Sequence, residues 1–159
     1  MGSGKTTAGK ALAKKLSLPF YDLDDIIESE IGMSISDYFS KFGEDKFRLV
    51  EQDCLRKSFA FSGAVISAGG GTPCFFNNMD EILQNGICFY LKANVKLLSS
   101  RLIDAKDKRP LISNLTNDQL NENLSSLLAK RELYYNKAHY AVNAIDPVDE
   151  IIKMLSLKK

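Results

Sequence analysis

Met1-Gly2-Ser3-Gly4-Lys5-Thr6-Thr7 opens the chain, and Gly2 to Thr6 is the back half of the pattern G-x-x-x-x-G-K-[ST]. In such a loop glycines let backbone N–H groups wrap a polyphosphate, and the helix that follows adds a favourable dipole. Lys5 would reach the β- and γ-phosphates, and the Thr6 hydroxyl would ligate Mg²⁺. A glycine-rich N-terminus before an ordinary helix is the plainer alternative. The first glycine of the pattern, and the strand that feeds the loop, would stand upstream of Met1. That strand is central in parallel sheets of this kind. About six apolar residues at roughly 1.5–3 kcal/mol each amount to about 10 kcal/mol, against about 5–15 kcal/mol for a whole domain. The expectation is therefore that the sequence is incomplete at its start.

Outward from the loop, helical and strand-like stretches alternate. Lys5 to Leu16 carries Ala8, Leu12 and Leu16 at helical spacing. Asp24 to Glu30 opens on two acids, which suit a helix N-terminus. Ser36 to Phe42 reads as a short helix stopped by Gly43. Glu44 to Phe61 reads as a longer one with Phe47, Val50, Cys54 and Leu55 on one face. Asn78 to Asn85 carries Asn at its start and Gly86 after its end as caps. Asn94 caps a helix reaching Ile103, Asp118 to Asn136 forms a long helix, and Asp146-Pro147 starts the last. Four short apolar runs lie between them: Pro19 to Leu23, Ala64 to Ser67, Ile87 to Leu91 and Tyr140 to Asn143. Each is apolar through most of its length, as in strands buried on both faces of a parallel sheet covered by helices. The expected class is α/β.

Composition narrows the function classes. The chain has 159 residues, the length of one domain, so 1–159 is expected to be single. Hydrophobic residues make up 45% and charged residues 26%, which is too apolar for a disordered chain. The net charge of +1 gives no support for nucleic acid or an anionic membrane as the main partner, and leaves only a local basic patch as an alternative. No apolar run is long enough to span a bilayer, and no signal-peptide pattern opens the chain. Cys54, Cys74 and Cys88 lack metal-ligand spacing and read as wholly or partly buried thiols in a reducing compartment. A cytoplasmic protein is expected. His139 is the single histidine, which excludes a His-rich metal site and weakens a Ser/His/Asp hydrolase reading.

Several constellations carry chemistry. Asp22 and Asp24 flank Leu23 at a strand end, where residues i and i+2 share a side. One acid would serve Mg²⁺ and the other a substrate hydroxyl; helix N-capping by Asp24 and Asp25 is the alternative. Arg48 and Glu51 stand i, i+3 on one helix, where the carboxylate can orient the guanidinium toward an anionic substrate. On spacing alone a surface salt bridge explains them as well. Gly69-Gly70-Gly71 follows a strand and would let a ligand touch the backbone, or it is a plain loop. Arg109-Pro110-Leu111 lies in a charged stretch between helices, at about 104–117, that reads as a lid over transferring phosphate. Arg131 taken alone is a solvated helix charge.

In this order the motifs resemble the shikimate kinase family over nearly the whole chain. The resemblance rests on Met1 to Thr7, Phe20-Tyr21-Asp22-Leu23-Asp24, Gly43-Glu44 with Phe47-Arg48 and Glu51, Ser67-Ala68-Gly69-Gly70-Gly71, Arg109-Pro110-Leu111, and Lys130-Arg131 with Tyr134. It implies a three-layer α/β/α P-loop kinase fold with a five-stranded parallel sheet of order 2-3-1-4-5. Four strands are visible, and the middle one is not. It also implies ATP and Mg²⁺ as cofactors and shikimate as the small-molecule substrate, with a monomer as the default.

The same resemblance assigns roles. Gly2, Ser3, Gly4, Lys5, Thr6 and Thr7 match the ATP phosphate loop, with Lys5 catalytic and Thr6 a Mg²⁺ ligand. Asp22 matches the acid near Mg²⁺. Asp24 matches the acid that binds the shikimate hydroxyls and accepts the proton. Arg48 and Arg131 match the arginines on the shikimate carboxylate, with Glu51 holding Arg48. Gly70 and Gly71 match the glycines whose backbone contacts shikimate, and Arg109 matches the catalytic lid arginine. No residue of Asn143 to Pro147 is assigned to the adenine. The rivals are another small-molecule P-loop kinase, such as one acting on gluconate, and a catalytically dead nucleotide-binding module.

Overall fold

The computed structural model of the chain describes residues 2–103 and 116–157. Two compact units emerge. One takes in residues 6–88, and the other residues 89–159 with the first five.

In the unit of residues 6–88, β1 (Phe20–Asp22) pairs in parallel with β2 (Val65–Ser67), placing Asp22 opposite Ser67. α1 (Lys5–Leu16) leads into β1 and α2 (Leu23–Ile31) leaves it directly. α1 passes close to the strand: a Cβ at Gly9 would stand 2.6 Å from the Phe20 ring, so only glycine admits that approach. α3 (Ile35–Ser58) carries a break at Gly43, whose φ of 80° and ψ of 172° no helix accepts. The two helices expected on either side of Gly43 are therefore present, joined end to end across that break, and the second ends at Ser58 rather than Phe61. A 3-10 turn (Thr72–Cys74) and α4 (Asn78–Asn85) complete the unit. Its core is Leu23, Ile27, Phe47, Cys54 and Leu55.

α4 has the bounds read from the sequence, but neither expected cap forms. Its N-cap, Asn77, makes no side-chain capping bond, and Gly86 is extended with φ −171°. The side chain of Asn78 is used elsewhere, as described below.

In the other unit β3 (Phe89–Lys92) pairs in parallel with β4 (Tyr140–Asn143). Phe89 lies opposite Tyr140 with the rings stacked 5.3 Å apart. β3 starts two residues later than expected, leaving Ile87 exposed. α5 (Val95–Ile103) is capped as read, with Leu97 N–H donating to Asn94 Oδ1 at 2.8 Å. α6 (Asn117–Tyr135) and α7 (Pro147–Ser156) follow. Ala93, Leu98, Leu102, Leu120, Leu124 and Ala144 form this unit's core. Thr116 and Gln119 make a reciprocal capping box at the start of α6. Residues 116 and 117 of the expected lid therefore belong to a helix start; the rest of it, with Arg109, lies outside the described residues.

Both strand pairs are the neighbours that the order 2-3-1-4-5 requires of the four visible strands.

Candidate active site

The phosphate loop is built by two left-handed glycines, Gly2 with φ 74° and Gly4 with φ 84°. A side chain at either would be strained, and a Cβ on Gly4 would stand 3.3 Å from Arg101 Nη1. The Arg101 guanidinium donates to the carbonyls of Gly2 at 3.2 Å and Ser3 at 2.9 Å. In a trans peptide the N–H points away from the C=O, so these bonds turn the N–H groups of Ser3 and Gly4 the other way. Nothing in the sequence pattern flags Arg101 for this work. Lys5 is the first residue of α1, and the first turn holds no acid. A helix N-terminus favours negative charge, so a lysine there runs against the dipole unless an anion is bound beside it.

Asp22 and Asp24 are placed differently from the expectation. Asp24 is not on a strand: Asp22 ends β1, and α2 begins at Leu23. The i, i+2 argument from strand alternation therefore fails, because the backbone turns helical between the two acids. The cap is Asp22, whose Oδ1 accepts from Asp24 N–H at 3.2 Å, and neither Asp24 nor Asp25 serves as one. Asp22 Oδ2 accepts from Thr6 Oγ1 at 2.7 Å, so the two residues expected near Mg²⁺ touch. Asp24 turns to the glycine turn instead, where its Oδ1 lies 3.2 Å from where a Gly69 Cβ would be.

Arg48 is the centre of the second cluster. Its Nη1 donates to Glu51 Oε2 at 2.7 Å, and its Nη2 and Nε donate to Glu44 Oε1 at 2.8 and 3.2 Å. Arg48 is 9% and Glu51 2% exposed, which overturns the surface salt bridge: a guanidinium kept in a core face needs its carboxylate beside it. The Phe75 ring covers the guanidinium at 3.9 Å. Gly71 is required by closeness rather than by φ, because a Cβ would come 2.7 Å from Arg48 Nη1. An open cleft of about 270 Å³ lined by Asp45, Arg48, Leu49, Phe75 and Phe76 adjoins the group. Arg48, Glu51, Asp24 and the glycine turn thus assemble within one unit. Glu44 and Phe75 were not read as site residues. The i, i+4 spacing of Glu44 to Arg48 was the available signal for the first.

Arg131 lies in the other unit, half-buried on α6. Its neighbour Glu132 accepts from Tyr90 Oη at 3.0 Å, which ties α6 to β3. Burial, then that carboxylate, raises the Tyr90 phenol well above its ordinary value. Burial also pushes the Cys88 thiol up to about 11, and Cys54 is raised chiefly by burial. Thiols so placed are poor nucleophiles.

The donor set fits the cofactors implied by the fold. Thr6 and Asp22 offer hard oxygen ligands, and Mg²⁺ takes one or two protein oxygens while keeping water and phosphate around it. Ser67 Oγ, in register with Asp22, is buried with no hydrogen-bond partner among the described residues, as a hydroxyl waiting for a water would be. Left-handed glycines leading into Lys5-Thr6 at a helix start, with Asp22 at the end of the following strand bonded to Thr6, define a P-loop α/β kinase that uses ATP with Mg²⁺.

The comparisons with known proteins agree. The family model described as shikimate kinase matches residues 1–156. A shikimate kinase of Azobacteroides pseudotrichonymphae is 46% identical over 139 residues, covering 87% of this chain and 82% of its own. One from Bacteroides fragilis is 42% identical over 140 residues, 88% of this chain and 78% of its own. The crystal structure of shikimate kinase from Bacteroides thetaiotaomicron superposes with a TM-score of 0.91 at 36% identity, covering 99% of this chain and 93% of that one. That of Acinetobacter baumannii shikimate kinase in complex with shikimate gives 0.88 at 33%, covering 100% and 90%. The chain belongs to the shikimate kinase family.

Proposed function

We propose that this chain transfers the γ-phosphate of ATP to the 3-hydroxyl of shikimate, giving shikimate 3-phosphate and ADP, and that residues 1–159 act as a single catalytic domain. The observation that carries the reading is the buried Arg48–Glu51 pair against Gly71, with Asp24 beside the same turn. A cationic anchor for a carboxylate and an acceptor for hydroxyls stand on one face of one unit, which suits a small hydroxy acid.

The roles follow from what each side chain can do. Gly2, Ser3, Gly4, Lys5, Thr6 and Thr7 would hold the phosphates through backbone N–H groups, the ammonium and the hydroxyls. Thr6 and Asp22 would hold Mg²⁺, which supplies charge neutralisation between the phosphate oxygens. Arg48 and Arg131 would bind the shikimate carboxylate, and Gly70 and Gly71 would offer backbone contacts. Asp24 would orient the 3-hydroxyl and take its proton as the oxygen bonds to phosphorus and the bond to the ADP oxygen breaks. Lys5 and Arg109 would stabilise the charge spreading over the phosphoryl oxygens. The reading places the enzyme in the cytoplasm as a monomer that acts on a small molecule, with neither nucleic acid nor membrane as a partner.

ADP release with Mg-ATP and a panel of acceptors tests the reading: shikimate should support turnover, and gluconate and nucleoside monophosphates should not. Turnover with another acceptor alone would contradict it. Arg48→Ala should raise the KM for shikimate by about tenfold or more, because Arg48 grips a group that does not react. Steady-state kinetics at saturating ATP check this, and an unchanged KM counts against the role. Gly71→Ala should also raise that KM, by roughly threefold to tenfold. Its Cβ would meet the Arg48 guanidinium, which must shift and then no longer points where it did. Parallel thermal melts separate this from a loss of stability, and a variant with normal KM would show that the turn tolerates the methyl.

A further inference from the structure

We infer that Thr72 and Asn78 are positioning residues that hold Arg48 in its anchoring geometry. The inference rests on the reading of Arg48 as the carboxylate anchor. Glu51 has two oxygens and uses them on two different elements. Oε2 accepts from Arg48 Nη1 at 2.7 Å, and Oε1 accepts from Thr72 Oγ1 at 2.6 Å. A carboxylate tied at both oxygens cannot swing about its terminal bond, and so the guanidinium it holds cannot either.

Thr72 is itself held. Its carbonyl accepts from Asn78 Nδ2 at 2.9 Å, and Asn78 Oδ1 accepts from Gln52 Nε2 at 3.1 Å. Gln52 follows Glu51 on α3, so the bonds close into a ring through Glu51, Thr72, Asn78 and Gln52. Thr72 and Asn78 are both 0% exposed. No water can replace a broken bond there without rearrangement, which restricts the ring to one arrangement. The glycine turn lies against the same ring: a Cβ at Gly69 would come 2.8 Å from Thr72 Oγ1. This is why Asn78, at the start of α4, does not spend its side chain on the helix terminus.

The hydroxyl of Thr72 therefore sets how well Arg48 is aimed, without being a group that reacts. Its loss should appear in substrate affinity rather than in the chemical step. The test is steady-state kinetics on the full chain, with shikimate and ATP each varied. Thr72→Val should raise the KM for shikimate about tenfold, and leave kcat and the KM for ATP within about twofold. Thr72→Ser, which restores the hydroxyl, should return the shikimate KM to within about threefold of the parent. A merely structural role would lower stability without this split and without the rescue. Thr72→Ala removes the same hydroxyl without setting a methyl against the carboxylate, and carries the test if Thr72→Val does not fold. An unchanged shikimate KM in a folded Val or Ala variant overturns the inference. If the parent shows no shikimate-dependent turnover, the functional reading fails instead. The positioning claim is then decided by the Arg48 Nε–H signal in nitrogen-edited NMR spectra, which should move in Thr72→Ala and return in Thr72→Ser. A signal indifferent to Thr72 would refute it.

Discussion

Lys5→Ala should lower kcat by about 10²–10³-fold or more, the loss expected when a preorganised charge donor is removed from a transferring phosphate. The protein makes no covalent bond to the phosphoryl group in such a reaction, so positioning and charge carry nearly all of the acceleration. The variant separates function from folding well. Lys5 sits at the first position of α1, where the dipole disfavours a cation and alanine is a better helix former. Its melting temperature should therefore stay near that of the parent while turnover collapses. Single-turnover phosphoryl transfer together with a thermal melt checks both halves. Near-normal transfer by a folded Lys5→Ala protein would remove Lys5 from the chemistry.

Glu51→Ala has the largest expected effect on stability. It takes away the acceptor of both Arg48 Nη1 and the Thr72 hydroxyl, leaving a buried guanidinium without its inner partner and a buried hydroxyl without the carboxylate it donates to. Removing one member of a buried ion pair typically costs about 3–5 kcal/mol. For a chain of this length each 1 kcal/mol moves Tm by roughly 2–4 °C, so a fall of about 6 °C or more is expected. Glu44, 54% exposed at its side chain, can hold Arg48 only from the solvent side and does not substitute. Urea unfolding of the variant and the parent measures the difference. A change within about 0.5 kcal/mol, the range of an ordinary surface substitution, would mean that the Arg48–Glu51 pair is dispensable to the core. The exposed pair of Lys57 with Glu30 and Asp53 gives the contrast, since solvent and salt screen it.

Much of this arrangement is legible in the sequence because it depends on local rules. Apolar runs of strand length between helical periods mark the four strands and their parallel sense, while the neighbours, β1 with β2 and β3 with β4, are those the family resemblance implies. Gly43 marks its own break, since a left-handed φ excludes it from a helix. Asn94 caps α5 as its place before an apolar-periodic stretch indicates. The Thr116 capping box was equally open to reading, as Thr-x-x-Gln stands in the sequence.

What was not legible depends on the third dimension. Strand alternation put Asp22 and Asp24 on one side, but β1 stops at Asp22 and the first helical turn redirects Asp24. The amphipathic pattern of α3 placed Arg48 and Glu51 off the apolar face. Only packing against the glycine turn shows that they are buried. Thr72 and Asn78 look like loop and cap residues in isolation, because a 3-10 turn of three residues leaves no periodic signal. Arg101 is one cation among many on the sequence, and its bonds to Gly2 and Ser3 span nearly a hundred residues.

The most direct test follows the phosphoryl group itself. The chain is incubated with Mg-ATP labelled at the γ-phosphate and with shikimate, and the product is isolated and its phosphorylated oxygen located by NMR. The account predicts label on the 3-oxygen of shikimate, formed together with ADP and dependent on Lys5. Label recovered only as inorganic phosphate, or on a different oxygen, would contradict it.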